Sequence, residues 1–113
     1  MTMSNVIAES AVVVVRLNGD ITAANSDEVR DQIASALSSR RFVDVAIDMG
    51  AVTRLEREGL MILVGAIAKA KEHQKHLTLY RVAPEVRIVL EMTQIDRLMT
   101  VLDDRMNDVA IAA

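Results

Sequence analysis

His73 and His76 stand three residues apart among Lys69, Lys71 and Lys75. A His-x-x-His pair can bind a divalent metal only with a further ligand nearby, and the neighbours here are lysines. At the end of a predicted helix, the group reads as cations suited to a helix C-terminus. A phosphate loop needs close glycines followed by Lys and Ser or Thr. Gly50 and Gly59 are too far apart and no such pair follows. No serine lies in a nucleophile elbow. Asp103 and Asp104 are adjacent carboxylates in a surface segment, where solvated charge is the plain reading. Nothing brings an acid, a base and a nucleophile together, so the sequence reads as non-enzymatic, with no cofactor and no metal. The segment left to explain runs from Ile47 to Leu63, with Thr53-Arg54-Leu55-Glu56-Arg57-Glu58-Gly59 at its centre.

Composition narrows the rest. A chain of 113 residues fits one domain, read as 1–113, and 51% hydrophobic residues against 26% charged ones suffice for a core. Aromatic residues are only 2%, which leaves no stacking platform for nucleic acid. The net charge of -3 attracts neither polyphosphate nor anionic lipid. There is no cysteine, which excludes disulfides and thiolate metal sites. No apolar run is long enough for membrane insertion, and residues 1–15 lack the features of a signal peptide. The expectation is a cytoplasmic domain that binds neither nucleic acid nor membrane.

The elements that must carry the central segment follow from periodicity. Val6–Ala8 and Val12–Leu17 are β-branched and read as a hairpin. Val12–Val15 shows no polar alternation, which predicts a strand covered on both faces. A helix over about Ala24–Ser38 buries Val29, Ile33 and Leu37. Phe42–Met49 reads as a strand. Thr53 and Glu56 have capping-box spacing ahead of the next helix. From Leu60 to Ala70 that helix is apolar around most of its circumference. Some of Leu60, Met61, Val64, Ile67 and Ala68 are therefore expected to be exposed in the monomer and covered by a partner. The alternative is that the helix lies deep in the fold. Leu77–Val82 is a strand, and Pro84 with Glu85 opens a short helix that buries Val86 and Leu90. Leu98–Leu102 reads as an edge strand, and Asp103–Ala113 as a last amphipathic turn or two. Strands alternating with helices imply parallel pairing with right-handed crossovers, and the opening hairpin makes the sheet mixed.

On these residues the chain resembles the STAS domain family, of the anti-sigma factor antagonist type. The family pattern runs approximately Leu-Asp-Leu-Ser-x-Val-x-Phe-Ile-Asp-Ser-Ser-Gly-Leu-x-x-Leu. Asp48, Val52, Gly59, Leu60 and Leu63 match it outright, and Ile47, Met49, Leu55 and Glu56 match in kind. Leu17-Asn18-Gly19-Asp20-Ile21 and the stretch from Leu77 to Leu98 resemble further family motifs in the right order. The resemblance implies a STAS-type α/β fold: a mixed, mostly parallel sheet with an N-terminal hairpin and flanking helices. It also implies partner switching, in which the protein docks on an anti-sigma factor of kinase-type fold and a serine at the start of the second long helix is phosphorylated to end docking. Here both serines of the pattern are replaced, and Glu58 holds the phosphorylated position. Thr22 stands where many members carry Asp.

Three readings of Glu58 follow. It is a favourable first-turn acid, worth about 0.3–1 kcal/mol; or a fixed imitation of the phosphorylated state, with less charge and fewer oxygens than phosphate; or a docking residue for a basic partner group. The expected contact surface is the loop Thr53–Gly59 and the exposed side of the helix beginning there, with the Gly19–Asn25 loop beside it; the partner-binding residues named on it are Thr22, Arg54, Glu56, Arg57, Glu58, Gly59 and Met61. The second function carried forward is a STAS subunit or scaffold of a larger assembly, such as an accessory subunit of a lipid-transport ATPase or part of a stress-sensing complex. A homodimer through the apolar helix is a weaker outcome.

Overall fold

Val12–Arg16 (β1), Asp44–Asp48 (β2), His76–Val82 (β3) and Thr100–Asp103 (β4) lie side by side in chain order. All three pairings are parallel. Between them run Ser26–Ser38 (α1), Arg57–Glu72 (α2) and Pro84–Met92 (α3), with a short 3-10 turn at Ile95–Arg97 before β4. The computed structural model describes residues 12–41 and 43–103. Consecutive parallel neighbours joined by right-handed crossovers must carry all their helices on one face of the sheet. The hairpin partner Val6–Ala8 and the amphipathic segment after Asp103 lie outside the described residues.

The core is the contact between that face and the helices. Val15, Val45, Ile47, Leu77 and Leu79 supply the sheet side. Val29, Ile33 and Leu37 come from α1, and Ile62, Leu63, Ala66, Ile67 and Ala70 from α2. Val86 and Leu90 of α3 join the same cluster. The two-residue period of a strand sends the alternate side chains to the opposite face.

That alternation overturns the expectation for β1. Val12 is 51% and Val14 48% exposed, so this run is not covered on both faces. β1 is an outer strand in the order of the described sheet, and the crossovers place every helix on the other side. The unbroken valine run reflects β propensity rather than burial.

The apolar helix divides in the same way. Met61 and Val64 are 64% and 55% exposed, and Ala68 is exposed too. Leu60 is half-buried and Ile67 is buried in the core, so the exposed members of that set are Met61, Val64 and Ala68. The helix therefore has a buried stripe and a separate apolar outer edge.

Helix boundaries also shift. α1 begins at Ser26 rather than Ala24, because the Asn25 side chain is occupied in the preceding loop: it accepts from the Thr22 N–H at 2.8 Å and donates to the Asp20 carbonyl at 3.0 Å. His76 belongs to β3 and not to the helix end; its Nε2 lies 3.3 Å from the Thr100 hydroxyl. Pro84 sits at the first position of α3 as expected, and Gln94 takes the left-handed conformation that stops the chain from continuing as helix. Among the described residues no helix is long and apolar enough to cross a membrane.

Two substitutions on α2 test this division. Leu63 has no exposure, so Leu63→Ala is expected to cost about 2–5 kcal/mol in urea unfolding through a cavity. Gly65 is exposed, and a Cβ added there meets nothing within 4 Å. Gly65→Ala is expected to raise stability by about 0.5–1 kcal/mol through lower backbone entropy in the unfolded chain.

Candidate docking face

Parallel strands deliver the loops before α1 and α2 to the same edge of the sheet. Asp20 joins them. Its Oδ1 accepts the Thr53 N–H at 2.6 Å and the Arg54 N–H at 3.2 Å, and the Thr53 hydroxyl donates to Oδ2 at 3.0 Å. These bonds, chiefly that from the Thr53 backbone, hold the Asp20 carboxyl below its ordinary pKa despite some opposing desolvation. The Thr53 side chain is thereby spent on Asp20, and the capping box expected between Thr53 and Glu56 does not form. Glu56 is the N-cap of α2 and makes no side-chain cap bond. The helix is not capped from within. It is tied instead to a residue 33 positions away.

α2 opens with Arg57, Glu58 and Gly59. Glu58 lies in the first turn, where the free N–H groups and helix dipole favour an acid. It is half-buried and makes no ion pair with the described residues. Arg54 pairs with Glu56 at 3.5 Å, with both side chains exposed, so this contact fixes neither strongly. Gly59 is where the helix start meets the core. A Cβ there would come within 2.7 Å of a Leu55 methyl and 3.6 Å of an Ile21 methyl. The missing side chain lets α2 start directly against the first loop.

Between α1 and α2 runs a groove of about 520 Å³. Its floor is apolar, with Ile33, Leu37, Ile62 and Ala66, while Arg30, Glu58 and Lys69 stand along it. Met61 also lines it, so Glu58 and Met61 share one groove. Arg30 is engaged with Asp27 on its own helix.

The structure brings the residues expected at the contact surface onto one side, but not as equals. Glu56, Arg57, Glu58 and Met61 follow one another into α2, with Met61 a turn further along. Thr22 is exposed on the neighbouring loop, with its hydroxyl accepting from the Ala24 N–H at 3.2 Å. Gly59 is buried and shapes the site rather than offering contact. Asp20, which holds the two loops together, and Asn25, which braces the first loop internally, are not among the individually named contact residues, although both lie in the expected Gly19–Asn25 loop. Asp20 stands in a motif the sequence does display, but its partners lie far along the chain and leave no local signal. Among the described residues there is no group of His, Asp and Glu that could hold a metal ion.

Gly59→Val is expected to destabilise by about 1–3 kcal/mol through overpacking against Leu55 and Ile21, read by thermal unfolding. Asp20→Asn is expected to lower the urea midpoint at pH 7. Because the folded carboxyl has the lower pKa, its stabilisation is present above the unfolded value of about 3.9 and lost as pH falls through the folded value. Wild type and Asp20→Asn should therefore converge in acid and separate near neutrality.

Comparison with known proteins places this geometry in a family. Residues 4–102 match the family described as "Mlab, STAS domain". The anti-sigma F factor antagonist of Paenibacillus polymyxa is 24% identical over 96 residues, covering 85% of this chain and 82% of that protein. An anti-sigma factor antagonist from Mycobacterium paratuberculosis has a similar fold, with a TM-score of 0.72 at 23% identity, covering 89% of this chain and 84% of the other. The Bacillus cell fate determinant SpoIIAA in its phosphorylated form gives 0.65 at 15% identity, covering 88% and 90%. With a family match across most of its length and the parallel sheet, crossovers and helix start described above, the chain belongs to the STAS domain family and resembles its anti-sigma factor antagonists.

Proposed function

We propose that this protein is a non-enzymatic regulator of the anti-sigma factor antagonist kind, that it docks on an anti-sigma factor of kinase-type fold, and that docking is not gated by phosphorylation at the usual place. The observation that carries the reading is Glu58: a half-buried anion in the opening turn of α2, beside an apolar groove, with no ion-pair partner among the described residues. A relative solved in phosphorylated form carries a fold like this one. The family pattern puts its serine where this chain has Glu58. A carboxylate cannot accept phosphate from a serine kinase. It offers one fixed charge where a phosphate would add about -1.5 to -2.

In this reading Glu58 is a contact rather than a block. An unpaired acid at a helix start is a ready acceptor for a guanidinium or ammonium group of a partner. Arg54, Glu56 and Arg57 surround it with exposed charge that sets orientation and specificity, and Thr22 adds a hydroxyl from the adjoining loop. Met61 supplies apolar contact area. Such a regulator works in the cytoplasm, where sigma factors act, and as a single domain.

Calorimetry with a purified kinase-type anti-sigma factor, using wild type, Glu58→Ala and Glu58→Ser, tests this. Wild type is expected to bind, and Glu58→Ala to bind about tenfold more weakly through loss of a charge-assisted contact. Tighter binding by Glu58→Ser than by wild type would show the carboxylate imitating phosphate and overturn the contact role. Absence of binding by all three removes the anti-sigma factor as partner.

A further inference from the structure

The opposite face of the sheet carries a second charged arrangement, away from α2. Asp48 ends β2 on that face, and its side chain is only 6% exposed. Two arginines from the neighbouring strands close on it. Arg16 donates from Nε to Oδ2 at 3.1 Å, and the Nε of Arg81 stands 3.4 Å from Oδ1. The Gly50 N–H donates to the same Oδ1 at 2.9 Å. One buried carboxylate thus faces two guanidiniums and a backbone donor, and the cluster keeps one positive charge in excess.

Its construction is specific. Arg81 has φ of 58°, in the left-handed region that non-glycine residues rarely take, and lies in the register shift between Leu79 and Val82. The bulge turns its side chain across Gly50. A Cβ at Gly50 would come within 2.5 Å of the Arg81 Nε and 2.8 Å of an Nη. Only a glycine leaves room for the guanidinium to rest there. Tyr80, buried beside the cluster, has its hydroxyl pKa raised by burial first and the Asp48 charge second.

Asp48 needs one cation for compensation and has two. Each arginine has five N–H donors; both turn Nε toward Asp48, and Arg16 also bonds the Tyr80 hydroxyl. Their side chains stay 75% and 51% exposed, so donors remain for an external group. Strand alternation puts Val12 and Val14, about half exposed, in line with Arg16 on the same face.

We propose that Arg16 and Arg81, seated on Asp48 and Gly50, form a recognition site for an acidic segment of a protein partner, with apolar side chains lying along Val12 and Val14 and a carboxylate received by the two guanidiniums. A carboxylate completes an alternating arrangement of two anions and two cations. The valine strip favours a peptide over a free anion, which would use the arginines alone. This surface goes beyond the docking face at α2 and is independent of it.

The test is two-dimensional NMR of the full chain, reading the arginine Nε–Hε signals and the amides of Val12, Val14 and Gly50. The probes are acetyl-Val-Ser-Val-Glu-Glu-amide, its Gln-Gln counterpart and inorganic phosphate. The acidic peptide is expected to shift Arg16, Arg81, Val12 and Val14 saturably, and more weakly as salt rises. Arg81→Gln and Gly50→Ala are each expected to reduce affinity about tenfold, the second without removing either arginine. Equal binding of the Gln-Gln peptide, or phosphate matching the acidic peptide in affinity, overturns the proposal. So does undiminished binding by Gly50→Ala. Where Arg81→Gln does not fold, Gly50→Ala and the wild-type titrations decide. No anti-sigma factor enters this experiment, so its failure leaves the docking face at α2 untouched.

Discussion

A parallel sheet sends all of its strand-to-helix loops to one edge, and everything of interest in this protein follows from that constraint. β1 and β2 are neighbours in register, Arg16 opposite Asp48. The loops that leave them therefore start side by side. Asp20 converts that nearness into a bond by accepting two backbone N–H groups and a hydroxyl from the neighbouring loop. The start of α2 is thus held from outside the helix. Its acid, Glu58, keeps its side chain free of internal partners among the described residues. A cap made by Glu56 or Thr53 would have used local side chains for the same purpose. Here Thr53 serves the loop, and the charged residues behind it remain exposed.

The two faces of the sheet do different work. On the helix side, α1 and α2 bury a shared apolar layer and leave a groove between their outer edges. Met61 and Val64 stand outside that layer on the solvent side of α2. On the open side, a single buried carboxylate organises arginines from two strands. Burying Asp48 alone would be costly, and the paired guanidiniums offset the cost. Glycines matter at two places for related reasons: Gly59 admits Leu55 and Ile21 against the helix start, and Gly50 admits the Arg81 guanidinium.

Much of the fold was legible in the sequence because it rests on local periodicity. Val29, Ile33 and Leu37 recur at helical spacing and are buried together, and Pro84 opens its helix where its fixed φ suits one. The order of strands and helices pointed to parallel pairing. The errors lie where local pattern and tertiary placement separate. Val12 and Val14 look like core residues by type, but an outer strand with helices on one face leaves them half exposed. The apolar collar of α2 has no polar break to tell its inner side from its outer one, and packing decides that Met61 and Val64 face out while Ile67 falls on the buried stripe. Thr53 and Glu56 have the spacing of a capping box, but a carboxylate from a distant loop takes the threonine. The position of Glu58 in the first turn was readable from the family pattern. Its relation to the groove, and the cluster around Asp48, depend on packing between elements and carry no sequence spacing of their own.

The central claim is that a fixed carboxylate in the opening turn of α2 makes docking independent of phosphorylation. Native mass spectrometry of the protein mixed with a kinase-type anti-sigma factor, with and without magnesium ATP, addresses it directly. The account predicts a complex that persists in ATP and a chain that gains no phosphate. A complex that dissociates as ATP is consumed, with phosphate appearing on this chain, would contradict it.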